Sequence, residues 1–129
     1  MQNTELAGRV RQAAFEYDFA LHGGAVGAIT VGPKLLPAGA LVFDGLIHVV
    51  TAVVGTTSTL AIHALSAEDI LAATAEASLT LNSLHDTVCV GTAATSFRCT
   101  AATALTFTVA VNPLTAGKVR VYLRYFLSD

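Results

Sequence analysis

An all-β, single-domain antiparallel β-sandwich, jelly-roll-like, with about eight strands and one short helix, is the fold that this sequence predicts. Three observations carry the prediction. The run from Lys118 to Leu127 alternates without a slip: Val119, Val121, Leu123, Tyr125 and Leu127 point one way, and Lys118, Arg120, Tyr122, Arg124 and Phe126 the other. The same two-residue period recurs in other segments at intervals of roughly ten residues, with turn residues between them. Hydrophobic residues make up 53% of the chain and charged residues only 12%, about half the usual charged share, so part of the surface is expected to be covered by other chains.

The chain has 129 residues, enough for one core. Residues 1–13 read as a polar N-terminal arm, with Gly8 inside it, and residues 14–129 as the sandwich. The start has no basic segment followed by an apolar run, because Glu5, Arg9 and Arg11 interrupt it, so the chain is expected to begin near Met1 without a signal. Ala14 to Ala20 is the first strand, with Phe15, Tyr17 and Phe19 on one face and Glu16 and Asp18 on the other; His22-Gly23-Gly24 ends it. Gly27 to Gly32 is a short second strand, and Pro33 and Pro37 force a bend after it. Ala40 to Phe43 leads through Asp44-Gly45 into Leu46 to Val54, where His48 and Thr51 fall on opposite faces of a central strand covered on both sides.

Gly55-Thr56-Thr57-Ser58 is a turn, and Thr59 to Leu65 is expected to return beside the preceding strand as a hairpin. Ser66 with Asp69 three residues on reads as a helix cap, giving one or two turns that end near Ala73. Glu76 to Gly91 holds two short strands joined by a loop. Thr95 to Ala101 and Ala104 to Asn112 form a second hairpin, and Pro113 to Lys118 turns the chain into the last strand.

Several functions are set aside by residue content. The net charge of -2 and the scattered seven Lys and Arg residues give no field for nucleic acid. The two stretches without Asp, Glu, Lys or Arg, Gly45 to Ala67 and Cys99 to Gly117, are broken by turn residues, the first also carrying His48 and His63, and read as hairpins, so no membrane span is expected. Cys89 and Cys99 are read as free buried thiols, the alternative being one bridge between neighbouring strands. His22, His48, His63 and His85 lack metal-ligand spacing, although a hairpin could bring His48 and His63 side by side; no metal and no cofactor is expected. Glu16 with Asp18 is a carboxylate pair on one strand face, but a sugar-cleaving groove needs aromatic platforms and the chain has no Trp. Glu68 with Asp69 suits a helix start. No nucleophile elbow or phosphate loop is present, and no catalytic residue is assigned. Arg120, Tyr122, Arg124 and Phe126, with Arg9 and Arg11 near the start, fit a subunit interface, where Arg and Tyr are enriched.

Tyr17-Asp18-Phe19-Ala20, Gly23-Gly24-Ala25-Val26-Gly27-Ala28-Ile29, Leu36-Pro37-Ala38-Gly39-Ala40-Leu41-Val42 and Leu114-Thr115-Ala116-Gly117-Lys118-Val119-Arg120-Val121-Tyr122 resemble small Ala- and Thr-rich virion proteins of tailed bacteriophages. The resemblance covers most of the chain from Phe15 onward. It implies a non-enzymatic decoration, cement or head-fibre protein that binds an assembled shell of major capsid protein, often as a trimer, on virions assembled in the host cytoplasm. The other role considered is a tail or baseplate module that binds cell-surface carbohydrate, with Tyr122, Phe126 and Tyr17 as its aromatic platforms.

Overall fold

A computed structural model describes residues 10–66 and 68–127. Two antiparallel sheets face one another, as the alternation requires of strands that each have one apolar side. Along the chain come β1 (Arg11–Asp18), α1 (Phe19–His22), β2 (Gly27–Leu36), β3 (Ala40–Gly55), β4 (Thr59–His63), β5 (Leu71–Ala75), β6 (Leu84–Asp86), β7 (Phe97–Arg98), β8 (Thr103–Ala110) and β9 (Leu114–Leu127). The first sheet has the order β1-β9-β3-β6, with β7 also on β3; the second has the order β2-β8-β4-β5. The all-β sandwich expected from the sequence is what forms.

The core is the space between the sheets. Phe15, Tyr17, Ile47, Val49, Val119, Val121 and Leu123 fill it from the first sheet, and Leu60, Ile62, Leu105, Phe107 and Val109 from the second. Tyr17 and Phe107 stack across the gap with ring centroids 5.5 Å apart, which couples the two layers beyond simple burial.

Several elements differ from the sequence reading. The first strand starts at Arg11, inside the expected arm, because Ala13 already has a buried place opposite Leu123; residues 1–9 of that arm lie outside the described residues. It also ends earlier, since the Asp18 carboxylate accepts from Ala20 N at 3.0 Å and turns Phe19 to His22 into one helical turn. That turn is the short helix. Among the described residues no α-helix follows Ser66: the Asp69 carboxylate instead accepts from Ala64 N, Leu65 N and Ser66 N at 2.7, 2.9 and 3.0 Å, closing a tight loop before β5.

Neither expected hairpin exists. β3 lies in the first sheet and β4 in the second, and likewise β7 and β8. Among the described strands, β4 with β5 is the pair that is both adjacent in sequence and hydrogen-bonded. The corner between β3 and β4 is held by Ser58, fully buried, whose Oγ donates to Asn112 O at 2.8 Å. Glu76 to Gly91 contains a single 3-10 turn and the three-residue β6, not two strands. β9 begins at Leu114, directly after Pro113.

β3 is central, as expected, with β9 on one side and β6 and β7 on the other. It is covered on its inner side alone. Its register shifts between Val49 and Thr51, and the extra residue resets the parity, so His48 and Thr51 face the same way, opposite Arg120 and Lys118.

Candidate functional site

The outer face of the first sheet is where the sequence placed its interface residues. β9 runs between β1 and β3, so each outward side chain of β9 has a neighbour on both strands. The rows read Asp18–Lys118–Thr51, Glu16–Arg120–His48, Ala14–Tyr122–Leu46 and Gln12–Arg124–Asp44. Arg120 Nε donates to Glu16 Oε2 at 2.8 Å, Lys118 Nζ lies 3.6 Å from Asp18 Oδ2, and Arg124 Nη1 lies 3.7 Å from Asp44 Oδ2. The hydrogen bond that Arg120 donates to Glu16 favours the charged guanidinium and pushes its pKa further up.

Lys118, Arg120 and Arg124 therefore each have a carboxylate beside them. Anion capture by the arginines would have to compete with those partners, so the face reads as charge-balanced rather than basic. Between the charged rows lies the apolar Ala14–Tyr122–Leu46 row. A shallow cavity of about 270 Å³ opens there, lined by Gln12, Asp44, Gly45, Leu46, Tyr122 and Arg124. Phe126 stacks on Phe43 at the far end, with centroids 4.8 Å apart.

Four of the six residues singled out from the sequence, Arg120, Tyr122, Arg124 and Phe126, are thus brought together on one face. Arg11 is exposed but sits opposite Tyr125 and has the other parity from that set. Arg9 lies outside the described residues. Sequence reasoning missed Gln12, Asp44 and Leu46: Gln12 was assigned to the arm and Asp44-Gly45 to a break, although the alternation of β1 and β9 carried the signal for an outward Gln12.

The remaining candidates are dispersed. His48 Nε2 is 3.4 Å from Asn82 Oδ1, His85 Nε2 is 3.1 Å from Ser83 Oγ, and His63 lies in the second sheet opposite Thr106, so His48 and His63 are not side by side. His22 Nδ1 accepts from Asp18 N at 3.1 Å and its ring stacks on Tyr17. Among the described residues no three His, Cys, Asp or Glu side chains converge on one point, and no helix is long and apolar enough to cross a membrane. Cys89 and Cys99 are free thiols in the core, and burial raises the pKa of both. Tyr17 is fully buried, which removes it from any sugar platform. A second shallow cavity, of about 230 Å³, lies between β1, α1 and β2 and is lined mainly by apolar groups with Glu16 and His22.

No family model matches this chain, and no curated protein matches it. Solved structures are. A chain of the cyanophage Pam1 capsid asymmetric unit is 25% identical, with a TM-score of 0.69 over 98% of this chain and 91% of that one. A chain of the capsid of Ralstonia phage GP4 is 19% identical, with a TM-score of 0.66 over 99% and 90%. A chain of the Helicobacter pylori bacteriophage KHP30 capsid is 16% identical, with a TM-score of 0.62 over 93% and 89%. The resemblance to phage virion structural proteins read from the residues is shared by the fold.

Proposed function

We propose that this chain is a non-enzymatic structural protein of a phage particle, binding the assembled capsid as a decoration or cement protein. In this reading its partner is the major capsid protein, it acts as a homo-oligomer, a trimer, on the virion surface, and it assembles in the host cytoplasm. The observation that carries the reading is the end-to-end correspondence with the Pam1 capsid chain, 98% of one and 91% of the other. A sandwich that corresponds to a whole small capsid chain, rather than to a domain of a larger one, suits an accessory that sits on a shell.

The topology supports it. With the two-residue β7 set aside, two four-stranded sheets remain, and β1/β2, β3/β4, β5/β6 and β8/β9 are each split between them, which supports reading the sandwich as a double-sheet jelly roll, an architecture used in viral capsids. The outer face of the first sheet supports it too. Arg120, Tyr122, Arg124 and Phe126 form a broad, charge-balanced surface with an apolar row, suited to protein contact.

The experiment is reconstitution. Purified chain added to undecorated shells is expected to co-sediment with them and raise their resistance to heat and pressure, and Arg124→Glu is expected to lower that binding without changing the fold. Shells that neither bind the chain nor gain resistance would overturn the proposal.

A further inference from the structure

A sheet can take up another chain at its edges, because an edge strand carries backbone N–H and C=O groups with no neighbour to bond. Most edges of this sandwich are short or interrupted. β2 contains Pro33 and an irregular register between Val31 and Leu36, the pairing of β5 shifts between Leu60 and Ile62, and β6 and β7 have three and two residues. β1 differs. It has eight residues, none of them Gly or Pro, in one unbroken register with β9, and among the described residues no strand pairs with its other side. Its carboxylates, Glu16 and Asp18, are turned into ion pairs with β9.

The groups on the open side can be named. Asp18 N–H goes to His22 Nδ1 and not to β9, and residues along an antiparallel strand alternate between bonding one neighbour and the other. Gln12, Ala14 and Glu16 therefore point their N–H and C=O groups away from β9, while Ala13, Phe15 and Tyr17 point theirs toward it. Gln12 and Ala14 are exposed. Beside this edge lies the cavity of about 230 Å³ at Ala14, Glu16, Leu21 and Val31, with Leu21 77% exposed. The gap between the two sheet edges thus has room for a further strand.

We propose that residues 3–7 of the same chain occupy the open edge of β1, folded back antiparallel to it through a two-residue turn at Gly8-Arg9. They lie outside the described residues; the assignment comes from where the chain enters β1 and from what precedes it. The entry is Val10, at one end of the edge, so a two-residue turn sets Ala7 opposite Val10, Glu5 opposite Gln12 and Asn3 opposite Ala14. Glycine at the first position of such a loop suits the type II′ turn, which needs positive φ there. Alternation then puts Glu5 outward, in the row of Gln12, Arg124 and Asp44, and Thr4 and Leu6 inward, over the rim of the core. A slip of one residue would send Glu5 to the rim instead. A tethered segment closing so short a loop has a high effective concentration, which favours it over a strand from another copy or from the shell. The added strand widens the outer face of the first sheet, yet the inference rests on topology and not on shell binding.

Amide hydrogen exchange of the full chain, followed residue by residue by NMR, tests it. The Gln12 and Ala14 N–H groups are expected to exchange at least about a hundredfold more slowly than in an unfolded chain, in dilute solution as well as in concentrated. Gly8→Val denies the turn its positive φ, and Leu6→Asp places a charge at the rim; each is expected to reduce that protection at least about tenfold. Ala13 and Phe15, bonded to β9, stay protected and report that the variants are folded. Free exchange at Gln12 and Ala14 in the unaltered chain would overturn the inference, as would protection that both variants keep. Protection that appears only as concentration rises would give the edge to another copy, and protection only on shells would give it to the shell protein; either outcome defeats the proposal. Protection in dilute solution that both variants lose, in a chain with no affinity for shells, would uphold it and defeat the proposed function alone.

Discussion

Replacing Tyr17 by Phe removes one oxygen from the corner where β1 leaves the first sheet. Tyr17 is fully buried, and its hydroxyl donates to the carbonyl of Gly23, whose own N–H closes the turn on Phe19 O at 2.9 Å. The ring and its stack on Phe107 survive the change, so the effect isolates the hydrogen bond and the carbonyl left without a donor. That combination costs about 1–3 kcal/mol. For a chain of this length it corresponds to a midpoint lower by roughly 4–11 °C, read by circular dichroism at a concentration below self-association.

The same hydroxyl has a pH signature. Burial, and then the charge of Asp18, raise the Tyr17 pKa above its ordinary 10. The folded chain keeps that proton to higher pH than the unfolded chain does. Stability from this group is therefore complete below about pH 10 and is lost as pH rises above it, by at most about 1.4 kcal/mol per unit. Tyr17→Phe lacks this slope, so its deficit against the unaltered chain should shrink above about pH 10. Cys89 and Cys99, raised from 9 by burial, also weaken the fold in alkali, but equally in both proteins. A variant within about 0.3 kcal/mol of the original, with a difference flat across that pH range, would refute the hydroxyl as the corner's anchor.

Two further substitutions check the loop geometry. Asp69→Ala strips the acceptor from three backbone N–H groups and should destabilise by about 2–4 kcal/mol, with Asp69→Asn intermediate, as chemical denaturation would measure. Gly24→Ala would drive its Cβ into Leu114 O, a backbone atom of the facing strand that cannot rotate away, and should cost about 1–3 kcal/mol or more in the same assay; an unchanged midpoint would mean that Gly24 and Leu114 do not pack together.

The outward face of β9 was legible in the sequence because alternation assigns side chains to faces without knowledge of any partner. Its counter-charges were not. Glu16 and Arg120 are 104 positions apart, and their meeting depends on β1 pairing with β9. The Ser66–Asp69 spacing illustrates a different limit: a carboxylate three residues after a serine can cap a helix or gather the N–H groups of a tight loop, and the residues permit both. Leu71, whose side chain is buried in the core next to Ile62, decides for a strand.

The sequence by itself determined that this protein is a β-sandwich with one apolar side to most of its strands, because a period of two admits no other secondary structure and a low charge content forces those sides together. The tertiary structure alone decided which strands pair. A turn such as Gly55 to Ser58 can fold a chain back on its neighbour or carry it across to the facing sheet, and the local residues do not distinguish the two. The choice falls to contacts distant in sequence, here the buried Ser58 hydroxyl reaching Asn112 O and the Tyr17–Phe107 stack across the core, whose energies exist only once both sheets are in place.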